Sequence, residues 1–85
     1  MHFFVSGKVQ GVWFRAWTKE QAMQRGLTGW VRNLPDGRVE VVLVGTRDKV
    51  MEMHLSLKKG PPLANVQEVT SEELSWQSYP GFEIL

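Results

Sequence analysis

The sequence predicts an α+β sandwich in which one mixed, mainly antiparallel sheet carries two helices on one face. Three observations carry that expectation. Stretches dense in Val and Phe alternate with stretches of helix formers in the order β-α-β-β-α-β. The Pro35-Asp36-Gly37 turn ties the two middle strands into a hairpin. Each half reads as strand–helix–strand, and right-handed crossovers then place both helices on the same side.

The first strand spans His2 to Ser6, and Gly7-Lys8-Val9-Gln10-Gly11-Val12 reads as a glycine-bearing loop. From Phe14 to Arg25 the residues favour a helix, with Gly26 at C′ and Arg25 in the last turn. Leu27 to Leu34 is a second strand and Arg38 to Val44 a third. Thr46 is the expected N-cap of the second helix, with Asp48 in its first turn. Val50, Met53, His54 and Leu57 share one helix face, and Lys58-Lys59-Gly60-Pro61 closes it. A fourth strand lies within Asn65 to Trp76, and Tyr79-Pro80-Gly81 turns the chain into a short last strand, Phe82 to Leu85. With that terminal strand added, the order is the ferredoxin-like sandwich, a fold that hosts many functions and names none.

A chain of 85 residues forms one domain, 1–85, with a modest core. Ten basic and nine acidic side chains leave a net charge of +1, which excludes a broad electrostatic grip on nucleic acid but permits a local anion site. No cysteine is present, so thiolate chemistry, disulfides and sulfur-held metals are out. The opening apolar run breaks at Ser6-Gly7-Lys8, too short for a signal peptide, and no stretch reaches the length of a membrane span. A cytoplasmic monomer is the expectation, without metal, cofactor, membrane or nucleic acid.

Chemistry points to the first loop. A glycine-bearing strand-to-helix connection can turn backbone N–H groups inward as an anion nest, and the helix N-terminus adds unpaired donors. Arg15 falls in the first helical turn, where the helix dipole disfavours a cation unless an anion binds. Its guanidinium matches two phosphate oxygens. Composition alone also fits an ordinary turn with a solvated Arg15. Asn33, just before the hairpin turn, is the second candidate; it would hold a water, or simply begin the turn. Trp13 lies inside the loop and is placed to wall a pocket, Trp17 reads as core, and Trp30 lies on a strand.

Other hydrolytic routes lack parts. His2 and His54 are far apart, no acidic cluster offers a two-metal site, the serines have no base nearby in sequence, and Asp36 reads as a turn residue. A site offering donors alone suits phosphoryl transfer to water from a carboxylate leaving group, which needs no proton. Acyl phosphates meet that condition and alkyl phosphates do not.

Gly7-Lys8-Val9-Gln10-Gly11-Val12-Trp13-Phe14-Arg15 resembles the first signature of the acylphosphatase family, and Gly29 through Val41, running on to Gly45, resembles the second. Gly60-Pro61, with Ala64 and Val66 after it, also fits, so the resemblance covers essentially the whole chain. It implies that backbone amides of Gln10, Gly11, Val12, Trp13, Phe14 and Arg15 cradle a phosphate, that Arg15 clamps it, and that Asn33 orients the attacking water. It implies hydrolysis of an acyl phosphate to a carboxylate and inorganic phosphate, with no metal and no covalent intermediate. Inorganic phosphate or sulfate would occupy the same nest. The chain departs from the family in lacking the longer basic–aromatic ending.

Two rivals remain at this stage. One is a non-catalytic phosphate-binding or regulatory module of the same fold. The other is an RNA-binding domain of the same topology, against which the third strand, Arg38 to Val44, carries no stacking aromatic. A chain opening at Met1 favours a stand-alone protein over a domain of a larger carbamoyl-phosphate-processing enzyme.

Overall fold

Hydrophobic periodicity becomes seven elements in the computed structural model, which describes residues 1–75 and 77–85. They are β1 (His2–Lys8), α1 (Phe14–Gln24), β2 (Thr28–Asn33), β3 (Val39–Val44), α2 (Arg47–Lys59), β4 (Asn65–Glu72) and β5 (Phe82–Ile84). The sheet order is β4-β1-β3-β2-β5. Every neighbouring pair is antiparallel except β2 and β5, which run parallel. Both helices lie on one face, in the ferredoxin-like arrangement. Trp76, the far limit of the expected fourth strand, lies outside the described residues. Among those described, no helix is long and apolar enough to cross a membrane.

The pleat explains the core. Phe3 and Val5 of β1 point to the helices and are fully buried, while His2 and Phe4 lie on the opposite face. β3 is the central strand, and Val39 through Leu43 are all buried. Against this face pack Phe14, Thr18 and Ala22 of α1 and Val50, Met53 and Leu57 of α2. His54 sits beside that apolar stripe, its ring 5.0 Å from Phe3, and burial lowers its pKa, with help from Lys58. Trp17 is only partly buried, at the margin of the core against Phe14.

Helix ends follow the expected chemistry. Arg25 caps α1, just past its last turn, and Gly26 follows with φ +67°. Leu27 N–H donates to the Ala22 carbonyl and Gly26 N–H to that of Met23, a Schellman closure. Thr46 caps α2 by accepting from Lys49 N–H, with Asp48 in the first turn.

β1 runs two residues further than the sequence suggests. A bulge between Ser6 and Gly7 lets Gly7 pair with Val66 and Lys8 with Asn65. Gly7 adopts φ +119°, and a Cβ there would collide with the Asn65 carbonyl oxygen. The connecting loop is therefore only residues 9–13, and Gly7 belongs to the sheet, paired with β4.

The open face of the sheet carries a charged network. Glu40 is 6% exposed, accepts from Arg32 Nε at 2.5 Å and lies 2.6 Å from His2 Nε2. His2 Nδ1 stands 3.3 Å from Glu72. Arg38 covers the Phe4 ring at 4.7 Å and Arg32 the Trp30 ring at 5.2 Å. Burial raises the Glu40 pKa, but hydrogen bonds from Arg32 and His2, and their charges, outweigh it and leave the value lowered. A lowered carboxylate stabilises the fold fully above the ordinary glutamate range, and that contribution disappears as pH falls through the folded value. Urea unfolding followed from about pH 6 to about pH 2 should show this loss. Glu40→Gln should be less stable at the upper end and show a shallower acid limb. An acid limb unchanged by the substitution would remove Glu40 from the account.

Candidate active site

Strand direction brings the site together. β1 and β2 both run antiparallel to β3, which lies between them, so they are parallel to each other. β5 is parallel to β2. The carboxyl ends of all three strands therefore share one end of the sheet. The loop 9–13 and the start of α1 follow β1, Asn33 ends β2, and Ile84 ends β5. A cleft of about 460 Å³ opens there, and its lining includes Gly11, Trp13, Arg15, Asn33 and Ile84.

Period-two alternation decides where Asn33 faces. Val31, two residues earlier, is fully buried on the helix side, while Arg32 is exposed on the other. Asn33 thus shares the helix-covered face, beyond the last core layer. Its Oδ1 is buried and has no hydrogen-bond partner among the described residues. Buried polar atoms are nearly always paired, so this acceptor is notable.

The start of α1 differs from that of α2. Its N-cap is Trp13, in the left-handed region with φ 64° and ψ 20°, and no side chain caps the helix. Its first turn has no acidic residue and contains Arg15. Among the described residues Arg15 forms no ion pair, and its side chain lines the cleft. The free N–H groups of a helix start and an unpaired guanidinium both favour an anion.

Of the residues singled out from the sequence, Gly11, Trp13, Phe14, Arg15 and Asn33 line this cleft together. Val12 does not, because its side chain is buried in the core. Gln10 also turns away: its Nε2 donates to the carbonyls of Leu34 at 2.8 Å and Arg38 at 2.9 Å. The amide side chain thereby bolts the loop to both arms of the β2–β3 hairpin, immediately beyond Asn33. Sequence reasoning considered only the backbone of Gln10; nothing in its neighbours signals a partner 24 or more residues away. Ile84 and Ala16 were also missed, since alternation along β5 is too short to read. No group of three or more His, Cys, Asp or Glu that could hold a metal ion occurs among the described residues.

Fold and cleft together define a class: a ferredoxin-like sandwich with a donor-lined pocket at the β1–α1 junction. The chain belongs to the acylphosphatase family, whose family model matches residues 1–84. An acylphosphatase from Legionella pneumophila (strain Corby) is 49% identical over 85 residues, covering 100% of this chain and 93% of that protein. One from Trichormus variabilis is 55% identical over 84 residues, covering 99% and 83%. The solved structure of an acylphosphatase from Coxiella burnetii superposes with a TM-score of 0.96 at 45% identity, covering 99% of this chain and 88% of that one.

The tether at Gln10 can be tested directly. Gln10→Ala removes two hydrogen bonds and should cost about 1–3 kcal/mol in urea unfolding. The acceptors keep other partners, because Leu34 N–H donates to Arg38 and Gly37 N–H to Leu34. Gln10→Glu should be worse, since a carboxylate would face two carbonyl oxygens with no proton to give. A glutamate variant as stable as the alanine variant would mean that the loop is not held this way.

Proposed function

We propose that this chain hydrolyses the carboxyl–phosphate anhydride bond of small acyl phosphates to a carboxylate and inorganic phosphate. The observation that carries this reading is one cleft holding the uncapped α1 start, the unpaired Arg15 and the partnerless Oδ1 of Asn33. Its family membership supports the same reaction.

In this reading, backbone amides from Gln10 to Arg15 receive the phosphate oxygens, and the Arg15 fork takes two of them. Asn33 Oδ1 accepts a hydrogen bond from water and holds its oxygen toward phosphorus. As the water oxygen bonds to phosphorus, the bridging P–O bond breaks and its electron pair leaves on the carboxylate. The water's protons pass to phosphate oxygens and solvent. A carboxylate leaves unprotonated at neutral pH, so no general acid is needed, and the described residues of the lining include no His, Asp, Glu or Cys. Charge stabilisation and positioning supply the acceleration. The cleft is built from elements of one chain, which suits action as a monomer, and the cytoplasm is the proposed setting.

Arg15→Ala should lower kcat/KM by about 10²–10³ toward an acyl phosphate, the scale for one charge-stabilising donor. Arg15→Lys should also be poor, because an ammonium cannot make the planar two-point contact. Asn33→Ala should lower kcat strongly while KM and the inhibition constant for phosphate hold. Loss of phosphate affinity equal to the loss of kcat would make Asn33 a binding residue.

Activity should survive excess chelator, and alkyl phosphates should be poor substrates. Phosphate and sulfate should raise the melting temperature of the native chain. At about ten times Kd the gain is roughly 1.4 kcal/mol. Arg15→Ala at matched ionic strength should lose most of that shift. Equal shifts in both proteins would place the anion's effect in the solvent.

A further inference from the structure

Away from Arg15 and Asn33 the cleft is apolar. Val9, Trp13, Phe14, Ala16 and Ile84 supply that part of its lining. Val9 and Phe14 are buried and belong to the core, whereas Trp13 is 78% and Ile84 42% exposed. Trp13 is the unexpected one. It is the only described residue other than glycine with a positive φ, a conformation unfavourable for a bulky side chain. Its indole is not buried in the core, and it makes no cap hydrogen bond. Neither packing nor capping accounts for a large aromatic at this position. Strained residues of this kind cluster where ligands bind. The cleft volume of about 460 Å³ lies in the small-molecule range and exceeds what a phosphate group fills.

We propose that Trp13 and Ile84 form an acyl subsite that selects acyl phosphates with an aromatic acyl group. The inference rests on the hydrolase reading above. With the phosphate at the α1 start, the acyl group extends along the apolar lining. A flat ring packs against the indole and against the Ile84 side chain, and both surfaces leave water. The two residues come from different elements, the β1–α1 loop and β5, so they can be altered separately.

The experiment measures kcat/KM for benzoyl phosphate and for acetyl phosphate in the native chain and in variants. The readout is the benzoyl-to-acetyl ratio. The two leaving carboxylates differ in basicity, but that difference is the same for every variant. A general disturbance of the loop lowers both rates, so a change of the ratio from its native value reports the acyl contact. Trp13→Gly, which suits the positive φ, should lower the ratio about five- to tenfold. Ile84→Ser should lower it in the same direction, with a native-like melting curve as the folding check. Trp13→Phe should keep most of the preference. Ratios unchanged in both Trp13→Gly and Ile84→Ser would overturn the subsite while leaving the hydrolase reading in place. No turnover of either substrate by the native chain would remove the hydrolase reading and this inference together.

Discussion

The two hydrogen bonds of the Gln10 carboxamide hold together the parts on which the site depends. Their acceptors, the Leu34 and Arg38 carbonyls, stand on the two arms of one hairpin. The loop 9–13 is short, and its far end is fixed where α1 begins. Anchoring its second residue to the hairpin sets the distance between the α1 start and Asn33. Sheet order makes such an anchor possible, because β3 intervenes between β1 and β2 and aligns their carboxyl ends. A single side chain therefore couples two segments separated by more than 20 residues.

The two helix starts differ in how their donors are met. α2 has a cap whose oxygen accepts from Lys49 N–H, and an acidic residue in its first turn that complements the helix dipole. α1 has neither, and it adds a cation where the dipole disfavours one. A helix with such an end is stabilised mainly by the packing of Phe14, Thr18 and Ala22 against the sheet. The core thus tolerates an N-terminus that is poor for an isolated helix and that suits the proposed phosphate.

Local signals were legible where local physics decides them. The Schellman closure at Gly26, the Thr46 cap, the hairpin turn and the Val- and Phe-rich runs of β1 and β3 follow from residues close in sequence. Arg15 and Asn33 stood out as residue types suited to an anion and a water, and the resemblance of their surroundings to a family signature joined them. What remained hidden depends on long-range contacts. The bulge that carries β1 on to Lys8 exists because β4 pairs with it. The backbone of Trp13 depends on how the loop meets the helix, and composition does not reveal φ. The Gln10 tether and the place of Ile84 beside the cleft require the tertiary arrangement of three strands.

Charge placement completes the argument. The chain is nearly neutral, with nine acidic side chains, yet none of them is among the described residues that line the cleft. Asp36, three residues from Asn33, is turned away: it accepts from Arg38 N–H and, at 2.8 Å, from Arg38 Nε. The backbone hydrogen bond, then the side-chain one, lowers its pKa, so it stays ionised and engaged with Arg38. Glu40 and Glu72 are held on the opposite face of the sheet by His2, with Arg32 also on Glu40. A carboxylate at about 4 Å from Arg15 would compete with a phosphate for the guanidinium, by roughly 4 kcal/mol at an effective dielectric of 20. The fold avoids that competition by engaging Asp36, Glu40 and Glu72 with Arg38, Arg32 and His2, away from the cleft. Net charge near zero therefore coexists with a cleft whose one charged residue among the described lining is a cation, and short ion pairs hold the neighbouring Asp36 and Glu40 away from it.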